Sequence, residues 1–191
     1  MKNFKIAALA IIAIISFASC SKDDNAAPQA VNEEEVITTV TATFTGGGQV
    51  ITLVSRDLDG DGPNAPVVTV SGNFQANTTY NGTLTFMNEA ASPAEDITPE
   101  IIEEGVDHQI FYRKTGNLNA FEYAATADNF DSNGKPIGLK SVFTTTNAAS
   151  GTVTITLRHL PNKNGAGVSG GDITNAAGGT DAEVTFPVTV Q

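Results

Sequence analysis

Short runs of alternating apolar and polar residues occupy most of the chain from Val36 to the C-terminus. A period of two indicates a β-strand that buries one face, and threonine frequently occupies the opposite face here. The pattern predicts strands at residues 36–44, 49–55, 67–74, 79–88, 109–113, 118–125, 137–145, 151–160 and 183–190. In the last of these, Pro187 cannot donate a backbone hydrogen bond to a neighbouring strand. We therefore expect this strand to lie at a sheet edge or to contain a bulge.

One segment, near residues 98–104, has a helical rather than an alternating pattern. Thr98 is the expected N-cap, Pro99 suits the first helical position, and Gly105 can end the helix. A parallel α/β fold needs several crossover helices, whereas the chain offers this single candidate. The predicted fold class is therefore all-β: an antiparallel β-sandwich, immunoglobulin-like or related, with about nine strands and one short helix.

The N-terminal segment is apolar throughout instead of alternating. Residues 6–17 include one polar side chain, Ser16, and follow the basic residues Lys2 and Lys5. This run is shorter than the roughly 20 residues that span a bilayer. A cationic start, a short apolar stretch and small residues before a boundary are typical of a secretory signal. We predict a lipoprotein signal peptide at 1–19, a lipidated flexible tether at 20–32 and a single sandwich domain at 33–191.

The boundary residue Cys20 is the only cysteine of the chain and has no intramolecular disulfide partner. The small residues before it resemble the lipobox of bacterial lipoproteins, although Phe17 stands where leucine is commonest. We predict that Cys20 is lipidated; the alternative is an ordinary cleaved signal that contains a cysteine. The residues that follow resemble the acidic export signal of Bacteroidetes-type lipoproteins: Ser21, Lys22, Asp23 and Asp24. That resemblance implies anchoring in the outer membrane and display at the cell surface; the alternative is a solvated acidic tether.

Four further runs extend the resemblance over nearly the whole chain after the signal: residues 32–39, 57–63, 157–163 and 171–175. Together they resemble a group of uncharacterised short lipoproteins of marine and soil Bacteroidetes. The type 1 periplasmic binding fold that such proteins are sometimes assigned is a large α/β structure, which does not suit a short chain rich in strands. The resemblance implies a location in the cell envelope and no particular activity.

The net charge limits the classes of binding partner that are expected. The chain has 21 acidic and 10 basic residues, for a net charge of −11. This excess of negative charge excludes nucleic acid as a partner and favours solubility or a cationic ligand. No Gly-x-Ser-x-Gly motif occurs. We interpret the glutamates at 33–35 and 103–104 as solvated charge rather than as a glycosidase carboxylate pair, and we expect the protein not to be an enzyme.

Three aspartates, Asp57, Asp59 and Asp61, occupy alternate positions, with glycines after the second and third. This spacing matches the first half of a calcium loop, in which hard oxygen atoms surround one cation. The complete motif has glutamate at its twelfth position, where this chain has Val68. The aspartates therefore form a candidate Ca²⁺ site that needs a further ligand. The alternative is a polar hairpin turn.

The chain contains two histidines, His108 and His159. Neutral imidazoles ligate transition metals, and two of them can hold a haem iron from opposite sides. His159 has the parity of Ile155 and Leu157, so we expect it to face inward near a strand end, while His108 follows the predicted helix. The alternative is one semi-buried structural histidine and one surface histidine.

Three functions are consistent with these features. We favour a surface-displayed lipoprotein that binds an extracellular ligand through loops at one end of the sandwich, among them the glycine-rich segment 162–181. The second is a structural envelope protein that packs against partner proteins without a small ligand. The third is a haem or metal capture lipoprotein that uses His108 and His159. No cofactor is implied beyond the candidate Ca²⁺.

Overall fold

Two antiparallel β-sheets form the domain. The computed structural model describes residues 35–60 and 62–191, and a compact unit spans Glu34–Gln191. Outside the described residues lie the predicted signal peptide and tether together with these candidate residues: Cys20, Ser21, Lys22, Asp23, Asp24 and Asp61. Within the described ranges, no helix is long and apolar enough to cross a membrane.

Ten strands, one α-helix and three short 3₁₀-helices make up the described elements. The strands are β1 (Thr39–Gly46), β2 (Gln49–Arg56), β3 (Val67–Val70), β4 (Thr79–Asn88), β5 (Glu95–Asp96), β6 (His108–Lys114), β7 (Phe121–Tyr123), β8 (Lys140–Thr144), β9 (Ala149–His159) and β10 (Gly179–Val190). The helix α1 spans Thr98–Glu103, and the 3₁₀-helices span Ala127–Asn129, Val168–Gly170 and Ile173–Asn175.

The larger sheet has seven strands in the order β3-β2-β1-β4-β8-β7, with β5 paired to β4. The smaller sheet has three, in the order β10-β9-β6. The prediction of an antiparallel sandwich with one short helix is confirmed. The additional strand, β5, has two residues and is too short to show alternation. β10 lies at an edge of its sheet, where Pro187 needs no partner for a missing N–H.

The start of the helix differs from the prediction in one respect. The N-cap is Ile97, so the prediction of Thr98 as N-cap is wrong. The Thr98 hydroxyl instead accepts a hydrogen bond from the backbone N–H of Phe86, at 2.9 Å, and so ties the helix to β4. The backbone N–H of Thr98 donates to Asp96 Oδ1 at 3.0 Å. A contact with the sheet has replaced the local cap that the sequence pattern suggested.

Phe74 joins the two sheets at the centre of the core. Its backbone N–H donates to Thr189 O of β10 at 2.9 Å, and its carbonyl accepts from Gln191 N at 2.9 Å. Its fully buried ring meets three aromatic rings of the larger sheet edge-on, at centroid distances of 4.9–5.4 Å: Phe44, Tyr80 and Phe143. This edge-to-face geometry is the one that aromatic pairs prefer. The core of the sandwich is therefore built around an aromatic cluster.

The glycine-rich segment 162–181 is folded against the outer face of the smaller sheet. It contains two of the 3₁₀-helices and the start of β10. Val168 and Ala176 are fully buried and pack with Phe111 of β6 in a second, smaller apolar cluster. Its residues thus contribute to packing, and the last part of it forms a strand rather than a loop.

Candidate functional site

The two histidines are direct neighbours across two strands. His108 is the first residue of β6, His159 is the last residue of β9, and the antiparallel register pairs them. Their rings stack with a centroid distance of 4.8 Å and an angle of 17° between the planes. His108 is fully buried, and His159 is nearly so. Because both sit on paired backbone, the register of the sheet sets the spacing of the two imidazoles.

Asp181 reaches both rings because of a bulge in β10. The register with β9 shifts between Thr180 and Ala182, which leaves Asp181 outside the regular pairing. A bulged residue is re-aimed relative to its neighbours. The Asp181 side chain is 3% exposed, with Oδ1 at 3.6 Å from His159 Nδ1 and Oδ2 at 3.7 Å from His108 Nε2. The bulge thus places one carboxylate within 4 Å of a ring nitrogen of each histidine.

Glu35 approaches the same point from the N-terminal side of β1. Its side chain is 8% exposed, and Oε1 lies 3.5 Å from His108 Nε2. The interpretation of Glu35 as solvated charge is therefore wrong; the chain folds back over the end of the smaller sheet and buries it. We name the group formed by Glu35, His108, His159 and Asp181 the histidine–acid cluster. The two acidic members could not be predicted from the sequence, since neither belongs to a recognisable motif.

The orientation of His108 presents a nitrogen lone pair to the cluster. His108 Nδ1 lies 3.2 Å from the backbone carbonyl of Glu104, which suits a protonated Nδ1 donating to that oxygen. Nε2 is then an acceptor. Among the described residues, neither Nε2 nor the two carboxylate oxygens of Glu35 have a hydrogen-bond partner. A metal ligand of the histidine type is commonly oriented by such a bond on its other nitrogen.

The histidine–acid cluster has an excess of negative charge. Burial, together with the nearby charges of Asp181, Glu100 and Glu104, raises the pKa of Glu35 to about 7. Burial also lowers the pKa of His108, which outweighs the opposite effect of Asp181. His108 is thus favoured in its neutral form, which is the form that ligates metals.

The distances within the cluster suit a small cation. The ligand atoms of His108, His159 and Asp181 all lie within 4.8 Å of one another. Tetrahedral zinc, with bonds of about 2.0–2.2 Å to nitrogen and oxygen, separates its ligand atoms by about 3.4 Å. A haem held between the two histidines does not fit, because the rings stack on each other and leave no space for a porphyrin between them.

A groove borders the acidic side of the cluster. It has a volume of about 430 Å³ and is lined by the segment before β1, by part of β2 and by the bulged part of β10. Glu35 and Asp181 both line it, together with Asp57 and Glu183. A groove with four carboxylates in its wall concentrates cations near its floor.

The candidate calcium loop is described only in part. Asp59 Oδ2 accepts from Asn64 Nδ2 at 2.6 Å and from Asn64 N at 3.3 Å, and the side-chain bond from Asn64 lowers the pKa of Asp59. These contacts are those of an aspartate that stabilises a turn. Asp57 donates its backbone N–H to Thr38 O at 2.7 Å. Asp61 lies outside the described residues, so the three-aspartate Ca²⁺ site stays a prediction.

Three comparisons, with protein-family models, with curated proteins and with solved structures, found no match for the chain. The resemblance to Bacteroidetes-type lipoproteins therefore stays a prediction from the sequence.

Proposed function

We propose that this protein is an exported, lipid-anchored metal-binding module that captures a divalent transition-metal ion at His108, His159 and Asp181. The observation that most directly supports the proposal is the environment of His108 Nε2. This atom is buried, has no hydrogen-bond partner among the described residues, and faces carboxylates at 3.5 and 3.7 Å. A bound cation would give a partner to His108 Nε2 and to the Glu35 carboxylate.

The energetics of the buried groups favour an ion over a purely structural role for the cluster. A buried polar group without a partner costs about 1–3 kcal/mol, and a lone pair that faces carboxylates adds electrostatic repulsion. Strand ends hold these groups together, so their proximity is enforced by the sheet. Two imidazoles and a carboxylate are typical ligands of zinc and neighbouring first-row metals, whereas calcium prefers oxygen ligands alone.

The anchor and the charge support a role outside the cell. The signal pattern at 1–19 and Cys20 favour export and lipidation, and Ser21–Asp24 favour display at the surface of the outer membrane. The net charge of −11 draws cations rather than anions towards the domain. The groove lined by Glu35 and Asp181 would be the path by which an ion reaches the site. The favoured extracellular ligand is therefore a metal ion.

Calorimetric titration of the metal-stripped protein with Zn²⁺, Ni²⁺ and Mn²⁺ tests this function. We expect one ion to bind per chain and the affinity to fall at least about tenfold in both His159→Ala and Asp181→Asn. Glu103→Gln removes an exposed acid from the helix and should leave the affinity unchanged. If the wild-type protein binds none of the three ions, or if the two cluster variants bind them as tightly as wild type, the metal function is wrong. The structural envelope role would then be favoured.

A further inference from the structure

The segment that carries Glu35 connects the sandwich to the predicted membrane tether. Thr38 is already fixed to β4: its backbone N–H donates to Met87 O at 2.9 Å, and its hydroxyl accepts from Glu89 N at 2.8 Å. Ile37 packs against the main core. Residues 35–37 precede β1 and belong to no strand, and we name them the N-terminal arm. The position of the arm beyond Ile37 therefore depends on what holds the Glu35 side chain.

Among the described residues, the charged groups that act on Glu35 are acidic, and its one basic contact is the His108 imidazole at 3.5 Å. Its acidic neighbours are Asp181, Glu100 and Glu104. Within residues 35–60 and 62–191, no lysine or arginine forms an ion pair with it, and Lys163, the buried lysine, is bound to Asp131. A buried carboxylate without a partner is strongly unfavourable unless a cation or a proton neutralises it. An ion at His108 would supply that positive charge.

A second geometric observation points to a shared partner for Glu35 and Asp181: Glu35 Oε1 and Asp181 Oδ2 approach the same atom, His108 Nε2, at 3.5 and 3.7 Å. The ligand atoms of Glu35, Glu104 and His108 lie within 4.8 Å of one another, and those of His108, His159 and Asp181 form an equivalent group. The two groups share His108. Three ligands from the sheet leave one position of a tetrahedral ion open, and a fourth protein ligand would close it. Glu35 is buried and aimed at His108, whereas Glu104 is exposed.

We infer that Glu35 is the fourth ligand of the ion captured by His108, His159 and Asp181, so that metal binding fastens the N-terminal arm to the sandwich. This inference rests on the proposed function. The ion would then join the start of β1 to the ends of β9 and β6 and to the bulge of β10. Loading would hold the backbone of residues 35–37 against the sandwich.

Zinc affinity and amide hydrogen exchange of the full chain test the inference, with Zn²⁺ as the probe. Glu35→Gln keeps the size of the side chain and removes its charge; Glu100→Gln is the matched control, since it removes a neighbouring charge that belongs to neither ligand group. We expect zinc affinity to fall at least about tenfold in Glu35→Gln and to stay within about threefold of wild type in Glu100→Gln. We also expect zinc to slow the exchange of the amides of residues 35–37 in wild type and in Glu100→Gln, but not in Glu35→Gln.

The outcomes separate this inference from the proposed function. If Glu35→Gln binds zinc like the wild type, or if zinc leaves the exchange of residues 35–37 unchanged, Glu35 is not a ligand, while capture by the other three residues stands. If the wild type does not bind zinc, nickel or manganese, both are overturned. Glu35→Ala is measured in parallel, because the amide oxygen that Glu35→Gln introduces can itself bind zinc weakly. A cooperative thermal unfolding transition without metal would show that Glu35→Gln and Glu35→Ala are folded.

Discussion

His108 and His159 are register partners at the ends of β6 and β9, and their imidazole rings stack 4.8 Å apart. The backbone hydrogen bonds of the smaller sheet therefore set the distance between the two candidate ligands. The bulge at Asp181 supplies a third group from the adjacent strand of the same sheet. A site on paired strands holds its geometry better than one on loops. The candidate metal centre is thus a property of the smaller sheet, with Glu35 added from outside it.

Replacing Cys20 with alanine should abolish lipidation, because the thiol that would receive the lipid is lost. Labelling of cells with radioactive fatty acid, followed by fractionation, measures this. Ser19→Ala keeps a small residue before the cysteine and should be labelled normally. An alanine variant that still sediments with membranes after cleavage of the signal would contradict the lipoprotein prediction.

Replacing Asp23 and Asp24 together with alanine should keep lipidation and move the protein from the cell surface to the periplasmic face of the outer membrane. The reason is the loss of the negative charges on which the export resemblance rests. Protease treatment of whole cells measures the exposed fraction, with Asn25→Ala as the control. Equal degradation of the double variant and the wild type would remove the export interpretation.

The candidate calcium loop predicts stabilisation by calcium. Asp57 and Asp59, with Asp61, are like charges that a divalent cation would neutralise. Calcium at about a hundredfold its Kd would stabilise the folded state by about 2.7 kcal/mol. Asp59→Asn should remove most of the increase in Tm, and Glu122→Gln on β7 should not. A Tm that is the same in chelator and in millimolar calcium would leave the segment as a hydrogen-bonded turn.

The buried ion pair between Lys163 and Asp131 predicts a pH-dependent stability. The side chains are 6% and 1% exposed, and Nζ lies 2.9 Å from Oδ2. Burial alone would raise the pKa of Asp131, but hydrogen bonds from Lys163 and from the backbone of Lys135 and Asn133 outweigh it and hold this pKa below its usual value. The pKa of Lys163 is lowered by its own burial, which offsets part of the attraction. Asp131 therefore stabilises the fold above its unfolded pKa of about 4, and this contribution is lost as the pH falls through its lower folded pKa.

Lys163→Met should destabilise the protein by about 3–5 kcal/mol at pH 7, because it leaves the Asp131 carboxylate buried without its cation. Urea unfolding at pH 7 and pH 3 measures the difference, which should shrink at the lower pH as Asp131 becomes protonated. Lys140→Met, which breaks the exposed pair with Asp128, is the control and should change stability little. A difference that is independent of pH would show that Lys163 contributes through packing and its hydrogen bonds to the carbonyls of Gly105 and Pro136, and not through Asp131.

Much of the fold could be predicted from the sequence because strand patterning is local. The alternation at 183–190 indicates β10 and its buried face, and Pro187 indicates an edge. The helix at Thr98–Glu103 was likewise visible in Pro99 and Gly105. Its N-cap was not, since the hydroxyl of Thr98 is bound by Phe86 of another element. The two-residue β5 is held by its neighbour β4, and no local pattern marks it.

The candidate site, like the fold, could be predicted only in part from the sequence. The sequence by itself determined which residues could ligate a metal, with His159 on the inward parity of its strand and His108 beside the helix. Only the tertiary structure decided that they meet, since this requires the register of two strands separated by about fifty residues. Asp181 enters the cluster through a one-residue bulge, and Glu35 through the path of the chain before β1. Both depend on long-range packing, which a local pattern of apolar and polar residues does not encode.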